Sequence, residues 1–138
     1  MSMLLNLESE GRSLESVSCH LMPCKIEYDG NANVSKFYAS NIREENGVLK
    51  SSFRGHPLQG QIVQVPNGYK GVVLEENPKF SSSEDKREFK IKGTFEKFTA
   101  WNWDKIPSHN DKLIKALQWI DIASALHTSV SQYKNEQE

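Results

Sequence analysis

The apolar positions of this 138-residue chain come in short pieces. Between residues 53 and 74, Ile62-Val63-Gln64-Val65 and Val72-Val73-Leu74 are set apart by Pro57, Pro66, Gly55, Gly60, Gly68 and Gly71. A helix through that stretch would cost about 3 kcal/mol for each proline and about 1 kcal/mol for each glycine. Short apolar runs with such punctuation predict tight β-structure with sharp corners. The stretch is expected to be the centre of a β-rich domain.

The pattern extends in both directions. Residues 17–28 predict a first strand, apolar on both faces in its first half and alternating in its second. Burial on both sides is expected there, with Pro23 favouring an edge or a bulge. Asp29-Gly30-Asn31 predicts a turn. Residues 34–38 predict a short strand anchored by Phe37 and Tyr38. A polar link then leads through Asn46-Gly47 into a strand at 48–53.

Residues 77–88 have the composition of an exposed loop, and their length predicts a flexible insertion. Residues 89–98 predict a strand with Phe89, Ile91, Gly93 and Phe95 on one face. Lys90, Lys92, Thr94 and Glu96 take the other, and Trp101 and Trp103 follow. Leu113, Leu117, Ile120 and Ser124 fit helical spacing, with Asp111 as an early-turn acid. Residues 112–119 read equally as a strand, whereas 121–133 read as a helix on either account. The organisation expected is a flexible segment at 1–16, one domain at 17–133 and a charged tail at 134–138. In the first segment, Met3, Leu4, Leu5 and Leu7 suit a helical scrap or a docking segment.

Composition changes this picture in one respect. Only 37% of the residues are hydrophobic, and the mean hydropathy is -0.61. A chain of this length can bury roughly 68% of its unfolded surface. The thin apolar supply fits a small domain with mobile ends, or a chain that shares its core with a partner. A net charge of -1 argues against a broadly basic nucleic-acid binder. Cys19 and Cys24 lie roughly 17 Å apart on an extended chain, too far for a disulfide without a turn at Pro23, and are expected as reduced thiols in an intracellular protein. No apolar run is long enough to span a membrane. The first residues lack the basic start of a signal peptide. The sequon at Asn33 is accordingly expected to stay unmodified.

Candidate chemistry is sparse. His20 and Cys24, with Cys19 adjacent, have a spacing that a metal can use, but zinc needs four ligands and no second close pair occurs. A packed strand is the favoured reading, and no metal or cofactor is expected in this chain. Cys24 beside Lys25 is the one candidate nucleophile. No nucleophile elbow, phosphate loop or dinucleotide fingerprint occurs. The acids are scattered through turns and termini, with no spacing that fixes a two-metal site.

Lys90 and Lys92, with nearby aromatic residues, suit a groove for single-stranded nucleic acid in the manner of an OB-fold. The aromatic residues fall mainly on the opposite face, which favours a solvated strand over a core. Arg54, between Phe53 and Gly55, suits a carboxylate or a phosphate. An internal or subunit-interface salt bridge is the favoured account of it. Trp101, Trp103 and Trp119 read as core or interface anchors.

One ordered pattern runs through these residues: His20-Leu21-Met22-Pro23-Cys24, Asp29-Gly30, Phe37-Tyr38, Ile42-Arg43, Ser52-Phe53-Arg54-Gly55, Leu58, Gly60, Val65-Pro66, Gly68 and Gly71. It continues with Phe98-Thr99, Trp101, Ile106-Pro107, Ala116-Leu117, Trp119 and Leu126-His127. Over residues 17–127 the pattern resembles the non-catalytic C subunit of eukaryotic type-2 ribonuclease H. At the corner following Arg54, His56 and Gln59 stand where that resemblance leads one to expect basic residues.

The resemblance implies a mostly β, non-catalytic protein with a short C-terminal helix. It implies interweaving with the B subunit in a fused triple β-barrel, docked on the catalytic A subunit. That trimer cuts RNA in RNA–DNA hybrids and at ribonucleotides embedded in DNA, with the metal held by the catalytic partner. It also implies work in the nucleus. An interface role is expected for Leu21, Phe37, Arg54, Trp101 and Trp119; a nucleic-acid contact at Lys90 and Lys92 belongs to the groove reading of that strand and not to the resemblance. The rival expectation is a free-standing OB-like single-strand binder, and an enzyme acting through Cys24 or an aspartate is the third.

Overall fold

The computed structural model describes residues 2–6, 14–78 and 86–127, with backbone alone at 2–6 and 86. Two sheets carry the fold. A three-stranded sheet has the order β1-β7-β6, formed by β1 (Ser2–Asn6), β7 (Lys86–Phe95) and β6 (Gly71–Glu76). A five-stranded sheet has the order β2-β8-β5-β4-β3. Its strands are β2 (His20–Leu21), β8 (Lys97–Trp103), β5 (His56–Gln64), β4 (Val48–Phe53) and β3 (Arg43–Glu45). Two helices, α1 (Val34–Phe37) and α2 (Lys112–His127), complete the described secondary structure with a 3-10 turn at Ala39–Asn41. The chain is thus mostly strand, with one long helix near its C-terminal end.

β3, β4 and β5 form a meander closed by two loops of two residues. Asn46-Gly47 joins Glu45 to its pair Val48, and Arg54-Gly55 joins Phe53 to its pair His56. Both central residues of each loop have positive φ, 52° and 78° in the first and 51° and 78° in the second. Those values match the tight hairpin turn whose twist suits the flanking strands. Asparagine tolerates the left-handed region well. Arginine does not, so Arg54 holds its place at a cost of about 1 kcal/mol.

β7 and β8 are one ribbon of chain bent at Glu96, whose carbonyl accepts the Val65 N–H at 2.9 Å. β7 belongs to one sheet and β8 to the other. Residues 15–21 follow the ribbon round the bend. Thr94 N–H donates to the Glu15 carbonyl at 3.0 Å, and Val17 N–H to the Thr94 carbonyl at 2.9 Å. Beyond the bend, Thr99 N–H donates to the Cys19 carbonyl at 3.0 Å. Gly93 permits this close passage, since a Cβ there would lie 2.7 Å from a Val17 methyl.

Several expectations are corrected. Residues 17–28 form no long strand: only His20–Leu21 pairs regularly, and Pro23 has no N–H to continue along β8. Residues 34–38 are not a strand, because local bonds win. Phe37 N–H donates to the Asn33 carbonyl and Tyr38 N–H to the Val34 carbonyl, at 3.1 and 2.9 Å. Ser40 and Asn41 side chains then take up the Lys36 and Phe37 carbonyls. Residues 89–98 are split at Glu96 between two strands, and Trp101 and Trp103 lie within β8 rather than after it. Residues 112–119 are helical.

Ser2–Asn6 forms a parallel strand against β7 rather than a helical scrap. The stretch 53–74 spans both sheets, with β5 in one and β6 in the other. Most of the loop expected at 77–88, the end of the C-terminal helix and the tail at 134–138 lie outside the described residues. Lys86 to Glu88, the end of that expected loop, already belong to β7.

The core sits on the five-stranded sheet. Tyr38, Leu58 and Trp101 form its buried cluster, with Met22, Ile42, Leu49 and Phe53 packed against it. Trp101 lies on Gly60 of the neighbouring strand, where a Cβ would stand 2.6 Å from the indole. Its Nε1–H donates to His20 Nδ1 at 3.2 Å, tying β2 to β8. Burial lowers the His20 pKa, which keeps the imidazole in the neutral, accepting form. Burial pushes the Tyr38 phenol up to about 12, and the nearby Ser51 hydroxyl offsets part of that shift without hydrogen-bond alignment.

Candidate subunit interface

The small core leaves much apolar surface uncovered. β6 forms one edge of its sheet, and Val72, Val73 and Leu74 are all exposed along it. Neighbouring residues on a strand point to opposite faces, so this edge is apolar on both sides. Unpaired backbone groups beside exposed valines make a template for another strand.

Helix α2 makes the same case more strongly. None of its 16 residues is buried. Helical spacing gives it two apolar faces, one with Leu113, Leu117 and Ile120 and the opposite one with Trp119, Ile122 and Leu126. The first face is half-buried beside the body of the protein, and the second is exposed. A helix with apolar positions on opposite faces cannot be covered from one side alone.

The start of the helix is fastened by Asp111, whose side chain is 13% exposed. It accepts from Asn102 Nδ2 at 2.9 Å and from the Ser108 N–H at 3.2 Å, and it pairs with Lys105 at 3.4 Å. Hydrogen bonds from Asn102 and Ser108 hold its carboxyl below the usual carboxylate range. Beside this anchor, Leu21, Ala100 and Leu113 line a cavity of about 460 Å³. Tyr69, Ala116, Trp119 and Ile120 line a shallow, open groove of about 510 Å³.

The residues expected at an interface are not gathered at one place. Leu21 is 50% exposed on β2, Phe37 68% on α1 and Trp119 62% on α2. Arg54 is exposed at the β4–β5 loop. Trp101 is only 3% exposed, so the chain itself covers that side chain.

Lys90 and Lys92 stand opposite the acids of β6. Lys90 is the strand partner of Glu75, and Lys92 pairs with the same carboxylate at 3.1 Å. One step along, Arg87 grips Glu76 through two bonds of 2.7 and 2.8 Å, which hold the Glu76 carboxyl below its ordinary range. The β6–β7 pair therefore carries a ladder of opposite charges, Arg87–Glu76 on the face of Phe89 and Lys92–Glu75 on the other. His20 is engaged by Trp101, and burial pushes the neighbouring Cys19 thiol up, away from the reactive thiolate.

Sequence reasoning missed the β6 edge and Ile106 as exposed apolar surface. Adjacent valines in an element bounded by glycine were the available signal for the edge. Trp103, expected as a core or interface anchor, is exposed rather than core: its Nε1–H donates to the Pro23 carbonyl at 2.6 Å, and its ring meets His56 edge-on at 5.0 Å.

Comparison with known proteins gives these surfaces a context. Residues 18–126 match the family model described as ribonuclease H2 non-catalytic subunit (Ylr154p-like). The C subunit of ribonuclease H2 from Mus musculus is 31% identical over 144 aligned positions, covering 88% of this chain and 87% of its own. The corresponding C subunit from Bos taurus is 29% identical, covering 83% of each chain. An uncharacterized protein of Schizosaccharomyces pombe is 33% identical over 94% of this chain and 95% of its own. The matched span runs from just before β2 to the penultimate residue of α2, taking in the whole five-stranded sheet and its core. With that span shared from end to end, the chain belongs to the family of the non-catalytic subunit of ribonuclease H2.

Proposed function

We propose that this chain is the accessory C subunit of a heterotrimeric type-2 ribonuclease H. It pairs with the B subunit in a shared triple β-barrel, and the pair supports the catalytic A subunit. The catalytic partner holds the metal, cleaves RNA in RNA–DNA hybrids and incises at ribonucleotides in DNA. This chain supplies no catalytic group, meets nucleic acid through the complex and works in the nucleus.

The observation that carries the proposal, beside family membership, is helix α2. Sixteen residues with apolar positions on opposite faces and none buried call for a second covering body. The β6 edge supports the same reading, because a strand from a partner satisfies its backbone and covers its valines. A free-standing single-strand binder needs a cation track open to phosphates. The charge ladder from Arg87 to Lys92 supplies its own counter-ions instead.

Co-expression of the tagged chain with the other two subunits tests the proposal. The expected result is a three-chain complex by mass spectrometry, with the chain alone aggregated or partly unfolded. A monodisperse monomer that melts cooperatively at micromolar concentration, and captures neither of the others, overturns it.

A further inference from the structure

A cavity of about 570 Å³ lies between the β4–β5 hairpin and residues 24–28. Its walls carry Ile26, Tyr28, Phe53, His56 and Trp103, and its charged groups are Lys25, Glu27 and Arg54. Lys25 and Glu27 pair with each other at 3.5 Å. Arg54 has no ion pair among the described residues, so it is the one fixed charge on the cavity wall left unneutralised.

Arg54 is also held in an unusual way. The chain builds the same two-residue turn twice, once as Asn46-Gly47 and once as Arg54-Gly55. The second turn puts an arginine where the left-handed backbone favours glycine or asparagine. Its guanidinium lies 5.3 Å from the centre of the Phe53 ring. A guanidinium held over a ring and without an ion pair keeps its N–H fork available to grip a carboxylate through two bonds.

We infer that this cavity receives a short extended segment of one of the other chains of the complex, bearing one aspartate or glutamate carboxylate for Arg54 and an adjoining apolar side chain for the Tyr28 and Trp103 wall. This rests on the reading that the chain works within an assembly. Charge decides the class of occupant. A polyanion needs several cations spaced along a track, whereas this cavity offers one unpaired fixed charge among apolar walls. One carboxylate satisfies it. Tyr28, Ile26 and Trp103 are all exposed, so the apolar half of the site is open to the same segment.

The test uses the reconstituted three-chain complex. Arg54→Lys places a primary amine at the site, and a carbodiimide couples amines only to carboxylates in contact. The expected result is an amide between the introduced amine and an acidic residue of one of the other two chains, read by mass spectrometry. Arg54→Glu should weaken association of the complex at least tenfold. Arg54→Gly relieves the turn, so amide exchange in the β4–β5 hairpin should be no faster than in the unaltered complex, while association weakens by a similar factor.

That opposition separates recognition from folding. Full association with Arg54→Glu, together with coupling only to this chain's own acids, overturns the inference while leaving the assembly intact. Full association with weakened binding of an RNA–DNA hybrid assigns Arg54 to a phosphate, and overturns it too. Failure of the three chains to assemble with unaltered Arg54 strikes instead at the proposed function.

Discussion

The indole N–H of Trp101 donates to Nδ1 of His20 at 3.2 Å, joining a two-residue edge strand to the centre of the larger sheet. The bond requires a neutral imidazole, and burial lowers the His20 pKa to match. A histidine with a depressed folded pKa binds its proton more readily when unfolded. Its contribution is therefore present above the unfolded value near 6.5 and is lost as pH falls below it. The assembled complex should melt at a lower temperature at pH 5.5 than at pH 7.5. His20→Phe should flatten that slope and cost about 1–3 kcal/mol at pH 7.5, by leaving the buried indole N–H unpaired. An unchanged slope in the variant removes His20 as its source.

Gly60 lies under the same indole. A methyl group there meets the ring at 2.6 Å, and the ring has Tyr38 against it at 5.8 Å between centroids. Gly60→Ala should destabilise the fold by about 1–3 kcal/mol through overpacking. Leu58→Ala, at the most deeply buried side chain, should cost about 2–5 kcal/mol. Urea titration of the complex measures both.

Asp111 fastens α2 to β8 through Asn102. Asp111→Ala should speed amide exchange over the first turn of α2 while leaving β4 and β5 protected. Its carboxyl is held below the ordinary range, so its contribution is complete above the unfolded value near 3.9 and is lost as pH falls through the lowered folded value. Wild type and Asp111→Ala should therefore converge in stability toward pH 3.

Trp119 is exposed on the outer face of α2, alongside Ile122 and Leu126. Trp119→Ala should raise the dissociation constant of the complex about thirtyfold, or about 2 kcal/mol, the scale of a buried aromatic anchor. It should leave the charge ladder on β7 untouched. Equal affinity measured by interferometry removes the outer face from the interface.

Much of the fold was legible because its signals are local. Asn46-Gly47 announced a hairpin, and the run from Val48 to Phe53 is strand as its punctuation implied. Residues 34–38 misled because valine, phenylalanine and tyrosine favour strands, while one turn of helix closed by Ser40 and Asn41 outweighed that preference. The break at Glu96 left only a slight mark: Glu96 and Lys97 are consecutive polar positions, and Phe98 falls on the opposite parity to Phe95. The partition of the stretch 53–74 between two sheets depends on pairing with β7 and β8, which no local pattern encodes.

Arg54 was conspicuous in sequence through its neighbours, but its positive φ and its place on a cavity wall emerged only with the backbone. Trp101 and Trp119 looked alike as anchors. Register separates them, because Trp101 falls opposite Gly60 whereas Trp119 falls on the outer side of a helix.

The β3–β4–β5 meander has an implication in time. Its two loops of two residues bring together only near neighbours in the chain, and hairpins of this kind close in about 1–10 μs. β8 then has to find β5 across an intervening sheet, and β1 has to pair in parallel with a strand some eighty positions later. Such distant pairings are slow. The meander, with Arg54 at its tip, is expected to close before β8 and β1 find their partners. Loop length thus sets an expected order in which surfaces mature, with a finished hairpin offered to an incoming partner before the larger sheet is closed.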